Sequence, residues 1–195
     1  MASSPPDSVL RLADVPLIGT ATARALRVAR IEEETVALFE QFRSPLFRYL
    51  LTFRVSAPDA EEIVQEVFLA LFRHLREGKS RANLQGWIFR VAHNLALKQR
   101  ERARRETAAA AEAPVDVLPC PETQAAEEQR FRRLQAVFRA LPEQDRCCLT
   151  LRAEGLRYRE IAGVLGISLG SVANSMERSL AKLARADRGG TYAAG

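Results

Sequence analysis

The segment YREIAGVLGISLGSVANSMERSLAKL, from Tyr158 to Leu183, has the residue spacing of a helix-turn-helix. Ala162 falls where the two helices cross closely, Gly166 where the turn needs a left-handed residue, and Val172 where the second helix packs back. Ser168 is a suitable N-cap for the second helix. The segment therefore predicts a DNA-binding helix pair, although an αα-hairpin that serves only packing has the same pattern.

The residues before this segment extend the helical pattern. FRRLQAVFRALPEQDRCCLTLRAEGLRYREIA predicts one helix that ends at Leu141, a stop at Pro142 and a second helix through Arg152. Cys147 and Cys148 fall inside the second helix, where we expect them to act as small core residues. The helix-turn-helix thus belongs to a larger helical domain.

Composition sets limits on the class of protein. The 195 residues carry a net charge of +5 and a sequence pI near 9.5, which favours a polyanionic partner. With three cysteines that lack C-x-x-C spacing and only two histidines, a metal site is not expected, and a reduced cytoplasmic setting fits best. Since no apolar run is long enough to span a bilayer, we expect no membrane insertion.

The order of helical and irregular patterns predicts an all-α chain of two small helical domains joined by a flexible linker. Residues 1–31 read as an extension, partly disordered, in which 15–31 fit a short amphipathic helix better than a helix-hairpin-helix. The first domain is expected over 32–106, since apolar residues recur there at helical spacing. Residues 107–127 hold three prolines and no period, which is typical of a linker. The second domain covers 128–186, and 187–195 form a tail.

Two surfaces of the first domain carry candidate chemistry. In NLQGWIFRVAHNLALKQRERARR, an aromatic residue, an amide and basic residues share one helix face, at Trp87, Arg90, Asn94 and Lys98. Aromatic rings stack on unpaired bases while basic groups hold the backbone, although a half-buried tryptophan and a solvated helix end would give the same pattern. On the preceding helix, Glu61, Glu62, Gln65 and Glu66 have the wrong sign for nucleic acid. They favour a protein partner or a solvated face.

Taken together, these segments resemble a sigma factor of bacterial RNA polymerase, of the extracytoplasmic-function (ECF) group. DAEEIVQEVFLALF resembles the helix of sigma region 2 that docks on the β′ clamp helices. NLQGWIFRVAHNLALKQRERARR resembles the helix that melts and reads the −10 element, and the C-terminal block resembles region 4, which binds the −35 duplex and the β flap. The resemblance covers roughly residues 34–105 and 128–185.

The resemblance implies a role for specific residues. The implied polymerase-binding residues are Asp59, Glu61, Glu62, Gln65 and Glu66. The loop from Gly78 to Gly86 would capture a flipped −10 base, and the implied contacts to single-stranded −10 DNA are Lys79, Arg81, Asn83, Trp87, Arg90, Asn94, Lys98 and Arg100. The implied contacts to the −35 duplex are Arg157, Arg159, Ser168, Ser171, Asn174, Arg178 and Lys182. Family analogy further implies an anti-sigma factor or other regulator as a partner, a cytoplasmic location, and no cofactor.

The sequence departs from the family in the recognition helix, which carries no positive charge from Leu169 to Met176. Ala173 and Ser175 stand where the family commonly has charged residues. Phosphate attraction must then come mainly from Arg178, Lys182 and Arg185, with Arg157 and Arg159, while the Asn174 amide is the best candidate to pair with an adenine edge. Fewer phosphate contacts predict weak −35 binding with a shallow salt dependence.

Two other classes of protein compete with this interpretation. An enzyme is disfavoured, because GKS at Gly78–Ser80 resembles a Walker loop but has Arg73 in place of its first glycine and no preceding strand. A stand-alone helix-turn-helix regulator that never joins polymerase would explain Tyr158–Leu183. It would leave Asp59–Phe72 and Trp87–Arg105 without a role.

Overall fold

The computed structural model describes residues 16–106 and 125–188, which form seven α-helices and no β-strand. The all-α class predicted from the sequence is confirmed. Most of the predicted linker, the first fifteen residues and the end of the tail lie outside the described residues. The helices are α1 (Pro16–Leu51), α2 (Ala57–Arg76), α3 (Leu84–Glu106), α4 (Ala125–Arg139), α5 (Glu143–Ala153), α6 (Tyr158–Leu165) and α7 (Leu169–Arg188).

Helices α1 to α3 form the N-terminal domain. Their apolar faces enclose a core that includes Tyr49 from α1, Leu71 from α2 and Phe89 from α3, each fully buried. Helix α1 is longer than this core requires and runs unbroken through the boundary that the sequence predicted at residue 31. Among the α1 side chains that the structure describes, from Thr22 onward, Ile31 is the first buried residue at 3% exposed, so residues 22–30 project from the core.

Side-chain caps fix the N-termini of α2 and α3. Ser56 caps α2, since its Oγ accepts the Asp59 backbone N–H at 3.2 Å. Helix α3 begins three residues before Trp87, because the Asn83 side chain accepts the backbone N–H of Gly86 at 2.9 Å. A Cβ at Gly86 would lie 2.5 Å from the Asn83 side-chain amide, so any larger residue at this position would displace the Asn83 cap.

Helices α4 to α7 form the C-terminal domain, with the helix-turn-helix at α6 and α7. Gly166 has the predicted left-handed conformation at φ 67°, and Val172 is fully buried. Cys147 and Cys148 are buried free thiols in α5, as predicted. Burial raises the pKa of Cys147 to about 11, which makes it an unreactive core residue at neutral pH.

The two domains pack against each other. Helix α6 lies against α3, and α5 contacts the C-terminal end of α1. The Arg146 guanidinium donates hydrogen bonds to the carbonyls of Leu141 at 2.6 Å and Thr52 at 3.2 Å, so one cation joins the C-terminal ends of α4 and α1. Ion pairs Arg48–Glu154 (2.8 Å) and Arg100–Glu143 cross the same boundary. The apolar core is continuous across both domains.

Candidate nucleic-acid and partner interfaces

An acidic face runs along the exposed side of α2. Glu61, Glu62, Gln65 and Glu66 are all exposed, because the apolar residues between them turn toward the core. Leu69, one turn further along the helix, is 58% exposed. Leu69 is not among the residues predicted from the sequence, although its position off the buried stripe of α2 is a usable signal. An exposed apolar side chain at the end of an acidic face is a surface that a partner protein can bury.

Asp59 has a different environment from the other residues of this set. One carboxylate oxygen accepts the Ser56 hydroxyl at 2.5 Å, and the other accepts the Gln99 amide of α3 at 3.1 Å. Both oxygens therefore stabilise the α2 cap and its contact with α3. The geometry gives Asp59 a positioning role beside the acidic face.

His74 organises the loop between α2 and α3. Its imidazole lies 4.6 Å from the Trp87 ring, centroid to centroid, and its Nε2 is 2.8 Å from the Ser80 carbonyl. One side chain thus contacts both the half-buried tryptophan and the loop, which places Trp87 beside residues 77–83. His74 is not among the residues predicted from the sequence, since no spacing rule connects it with Trp87.

The polar residues of this loop are partly engaged within the protein. Arg81 donates to both carboxylate oxygens of Glu34 on α1, each at 3.2 Å, and Lys79 pairs with Glu77 at 2.5 Å. Both cations belong to exposed pairs, which are weak and exchange readily for other anions. Asn83 caps α3, so its side-chain oxygen is committed to the fold.

The exposed ridge of α3 begins beside Trp87. Arg90 follows three residues after Trp87, and Asn94 and Lys98 follow at further intervals of four. All three are exposed and make no hydrogen bond or ion pair within the described ranges. Arg100 differs, because it pairs with Glu143 of the C-terminal domain, and this contact raises its pKa. The structure thus brings an aromatic ring, an amide and two free cations together along one ridge.

The recognition helix α7 has fewer side chains available for DNA than the ridge of α3. Ser168 caps it, since its Oγ accepts the Ser171 backbone N–H at 3.1 Å and lies 2.8 Å from the Ser171 hydroxyl. Asn174 and Lys182 are exposed and have no partner among the residues described. The side chains of Arg157 and Arg159, at the start of α6, are likewise exposed and without a described partner. The Arg157 backbone N–H donates to the Glu160 carboxylate. These residues could reach a DNA duplex.

Arg178 has a structural contact that the sequence did not predict. It donates to Asp145 of α5 at 2.9 Å, and Asp145 is only 1% exposed. Within the described part of the chain, the second Asp145 oxygen has no hydrogen-bond partner. A buried carboxylate needs a compensating cation, so Arg178 holds α7 on α5 and has less freedom to meet phosphate.

Ser175 does not lie on the exposed side of α7, where the family commonly has a charged residue. It is fully buried, and its Oγ accepts the Gln144 amide at 3.1 Å. Ala173, in contrast, is exposed. Of the two positions where the family commonly has charge, only 173 could carry a charged side chain to the surface in this chain.

His93 lies at the boundary between the domains. Its Nδ1 is 2.9 Å from the Tyr49 hydroxyl, and its ring packs edge-on against Phe53 at 5.3 Å. Burial lowers the pKa of His93, with a smaller opposing effect from Glu143 and a smaller lowering effect from Arg100. We therefore expect the neutral imidazole at neutral pH.

The described residues contain no cluster of three His, Cys, Asp or Glu side chains able to hold a metal ion. In the same part of the chain, no helix is both long and apolar enough to cross a bilayer.

Two family models match the chain. The model described as Sigma-70 region 2 matches residues 38–106, and that of Sigma-70, region 4 matches residues 131–183. Both lie in the order that the domains have here, and together they cover more than half of the chain. Each coincides with one of the two domains.

Curated relatives agree with these matches. The ECF RNA polymerase sigma factor SigE of Mycolicibacterium smegmatis is 32% identical over 142 residues, which is 69% of this chain and 55% of SigE. The ECF RNA polymerase sigma factor EcfG of Rhodopseudomonas palustris is 27% identical over 129 residues, 66% of this chain and 71% of EcfG. The chain thus spans about half the length of SigE and more of EcfG.

Two solved structures share the fold. The sigma factor RpoE, in a complex with the anti-sigma factor NepR from Bartonella quintana, superposes with a TM-score of 0.62 at 17% identity, over 80% of this chain and 96% of that one. CnrH, in complex with the cytosolic domain of CnrY, has a TM-score of 0.55 at 21% identity, over 83% of this chain and 92% of that one.

Proposed function

The chain belongs to the sigma-70 family, and from this premise we propose that it is an ECF-type sigma factor, a promoter-specificity subunit without catalysis of its own. It would bind core RNA polymerase, recognise −10 and −35 promoter elements, melt the −10 region and direct transcription initiation. Since polymerase and chromosomal DNA share the bacterial cytoplasm, it would act there.

The observation that carries this proposal is the ridge of α3. Trp87, held by His74, begins a row of exposed groups at Arg90, Asn94 and Lys98. An aromatic ring that stacks on a base contributes about 1–3 kcal/mol, and neighbouring cations hold the backbone of the strand. Unstacking one base costs a few kcal/mol, so this ridge together with the loop 77–83 can offset the cost of opening the −10 duplex.

The acidic face of α2 supplies the second part of the proposal. Glu62, Gln65, Glu66 and Leu69 form an exposed surface that is negative and ends in an apolar side chain. Its charge repels DNA, whereas a basic protein surface would be attracted to it. We assign this face to the β′ clamp helices, and the C-terminal domain to the −35 duplex and the β flap.

Promoter binding requires the two domains to separate. The −10 and −35 elements lie about 25 base pairs apart, or roughly 85 Å at 3.4 Å per base pair. In this structure α6 instead packs against α3. The closed arrangement is therefore a free state, and the contacts made by Arg146, Arg48 and Arg100 must break before both elements are bound. A partner that holds the domains together would inhibit the protein, which is the role we assign to an anti-sigma factor.

Run-off transcription tests the proposed function. Purified protein is added to core RNA polymerase with a library of candidate promoters, and start sites are mapped. We expect discrete new transcripts that are lost in a Glu62→Ala/Gln65→Ala/Glu66→Ala variant. A Glu32→Ala/Glu33→Ala variant, which removes exposed acidic groups from α1, serves as the control and should initiate normally.

Two results would contradict the proposal. Specific binding to duplex DNA without core polymerase, together with no transcript from any promoter, would instead identify a stand-alone regulator. Equal transcription by the α2 variant and its α1 control would exclude the α2 face as the polymerase contact.

A further inference from the structure

The first half of α1 carries a basic surface outside both family models. The region 2 match begins at residue 38, whereas α1 begins at Pro16. From residue 16 to residue 31 the helix has three arginines and no acidic residue, and the acidic residues begin at Glu32. The three arginines, Arg24, Arg27 and Arg30, are exposed and have no ion-pair partner in the described part of the chain.

These arginines form one ridge on the helix. They recur every three residues, so consecutive side chains rise by about 4.5 Å and stay on neighbouring sides of the helix. Ile31 anchors this part of α1 in the core, and Arg27 and Arg30 lie to one side of it around the helix. Arg24 lies on the same side of the helix as Val28 and Ile31, and it is exposed because it precedes the part of α1 that Ile31 buries.

The ridge adjoins the loop that we assign to the −10 element. Arg27, Arg30 and Arg81 line one groove with Glu34, and Glu34 accepts both hydrogen bonds from Arg81. This ion pair ties the loop to α1 one turn beyond Arg30. The cations of the loop and those of α1 thus make a single surface, in which Glu34 is the acidic residue of the groove.

We propose that Arg24, Arg27 and Arg30 bind the phosphate backbone of promoter DNA next to the −10 element. This inference rests on the proposed function and extends its DNA surface beyond region 2. The groove holds one exposed apolar side chain, Leu26 at 63%, beside the unpaired arginines. Such a surface suits a polyanion better than a protein partner, since protein interfaces bury a larger apolar core. A DNA strand that is bound by this loop would pass next to the arginine ridge as it leaves the loop. The Arg81–Glu34 pair is exposed enough to open for DNA.

The test measures binding of polymerase holoenzyme to promoter DNA as a function of salt. Each phosphate contact contributes about 0.9 to the slope of log K against log salt on duplex DNA and about 0.7 on a single strand. We expect an Arg24→Ala/Arg27→Ala/Arg30→Ala variant to reduce this slope by about 2 to 3. The matching lysine variant should retain most of the slope, because lysine also binds phosphate as a point charge.

A control variant removes the same charge elsewhere. Arg43→Ala/Arg73→Ala/Arg76→Ala takes three exposed arginines from the middle of α1 and from the C-terminal end of α2, none of which is assigned to a DNA element. We expect its slope to match that of the wild type. Promoter fragments shortened from either end then locate the contact, since the variant and the wild type become equal once the bound phosphates are removed. Alanine favours helix, so circular dichroism should show an intact α1 in each variant.

The outcomes separate this inference from the proposed function. If the wild type initiates transcription and the α1 triple variant binds promoter DNA with the wild-type affinity and salt dependence, the basic surface does not bind DNA. If the triple variant binds core polymerase less well in the absence of DNA, the ridge is a protein contact and the inference is overturned. If the wild type supports no promoter-dependent initiation, the proposed function fails first and the inference falls with it.

Discussion

The two candidate DNA surfaces differ in what their polar side chains do inside the protein. On α3, Arg90, Asn94 and Lys98 project from the ridge and have no partner among the residues that the structure describes. On α7, Ser168 and Ser171 serve the helix cap, and Arg178 neutralises a buried carboxylate. The first surface is available for ligand, whereas much of the second maintains the fold. We therefore expect promoter affinity to depend more on the N-terminal domain than on the recognition helix.

Substitution of Arg178 tests the structural role most strongly. Arg178→Ala leaves Asp145 buried without its cation, which for a fully buried pair costs about 3–5 kcal/mol. Because the Arg178 side chain is 56% exposed, we expect a loss of about 2–3 kcal/mol in the free energy of unfolding. Chemical denaturation measures this loss.

Two further variants make the Arg178 result specific. Asp145→Asn combined with Arg178→Ala should recover most of the stability, since the buried charge is then gone. Lys182→Ala on the same helix should change stability by less than about 0.5 kcal/mol. If Arg178→Ala leaves stability unchanged and abolishes −35 binding, Arg178 is a DNA contact and the comparison between the two surfaces is reversed.

Trp87 tests the other side of the comparison. Trp87→Ala should weaken holoenzyme binding to a single-stranded −10 oligonucleotide by about 1–2 kcal/mol, or roughly 10-fold, because a stacking ring is lost. Trp87→Phe should retain most of the affinity. Fluorescence anisotropy with the labelled oligonucleotide measures both. Equal losses in the two variants would contradict base stacking as the role of Trp87, since phenylalanine keeps a ring that can stack.

The sequence predicts those features of the structure that depend on residues close together in the chain. Helical periodicity, the Gly166 turn and the Ser168 cap are local patterns, and the structure confirms them. The pairing of Arg178 with Asp145 joins residues 33 positions apart, and no local pattern distinguishes a structural arginine from a phosphate contact. For the same reason the sequence located Trp87 but missed His74 beside it.

The boundary between the domains provides a third test. Arg146→Ala removes the hydrogen bonds to Leu141 and Thr52, which should weaken the closed arrangement by about 1 kcal/mol. We expect a larger radius of gyration by small-angle X-ray scattering and undiminished transcription. Glu143→Gln, which weakens only the Arg100 pair, should have a smaller effect in the same direction, and Arg139→Ala none. If scattering is unchanged and stability falls, Arg146 stabilises the C-terminal domain and not the contact between the domains.

His93 makes the stability of this boundary depend on pH. Its pKa is lowered in the folded protein, mainly by burial, so below its ordinary value of 6.5 the unfolded chain binds more protons. The contribution of neutral His93 is therefore complete above pH 6.5 and is lost as the pH falls through its folded pKa. We expect the difference in unfolding free energy between wild type and His93→Gln to shrink over this range. A constant difference would place His93 outside this titration.

Restoring charge to the recognition helix should have the smallest effect and the most specific one. Ala173 is exposed, so Ala173→Lys adds a cation without disturbing the core, whereas Ser175→Lys would bury one. One new phosphate contact steepens the salt dependence of −35 binding by about 0.9 and raises affinity a few-fold at low salt. Ala181→Lys, further along α7, is a control of equal charge. If both variants gain equally, the attraction is non-specific. If neither gains, position 173 does not face the DNA, and the weakness of this surface has a cause other than missing charge.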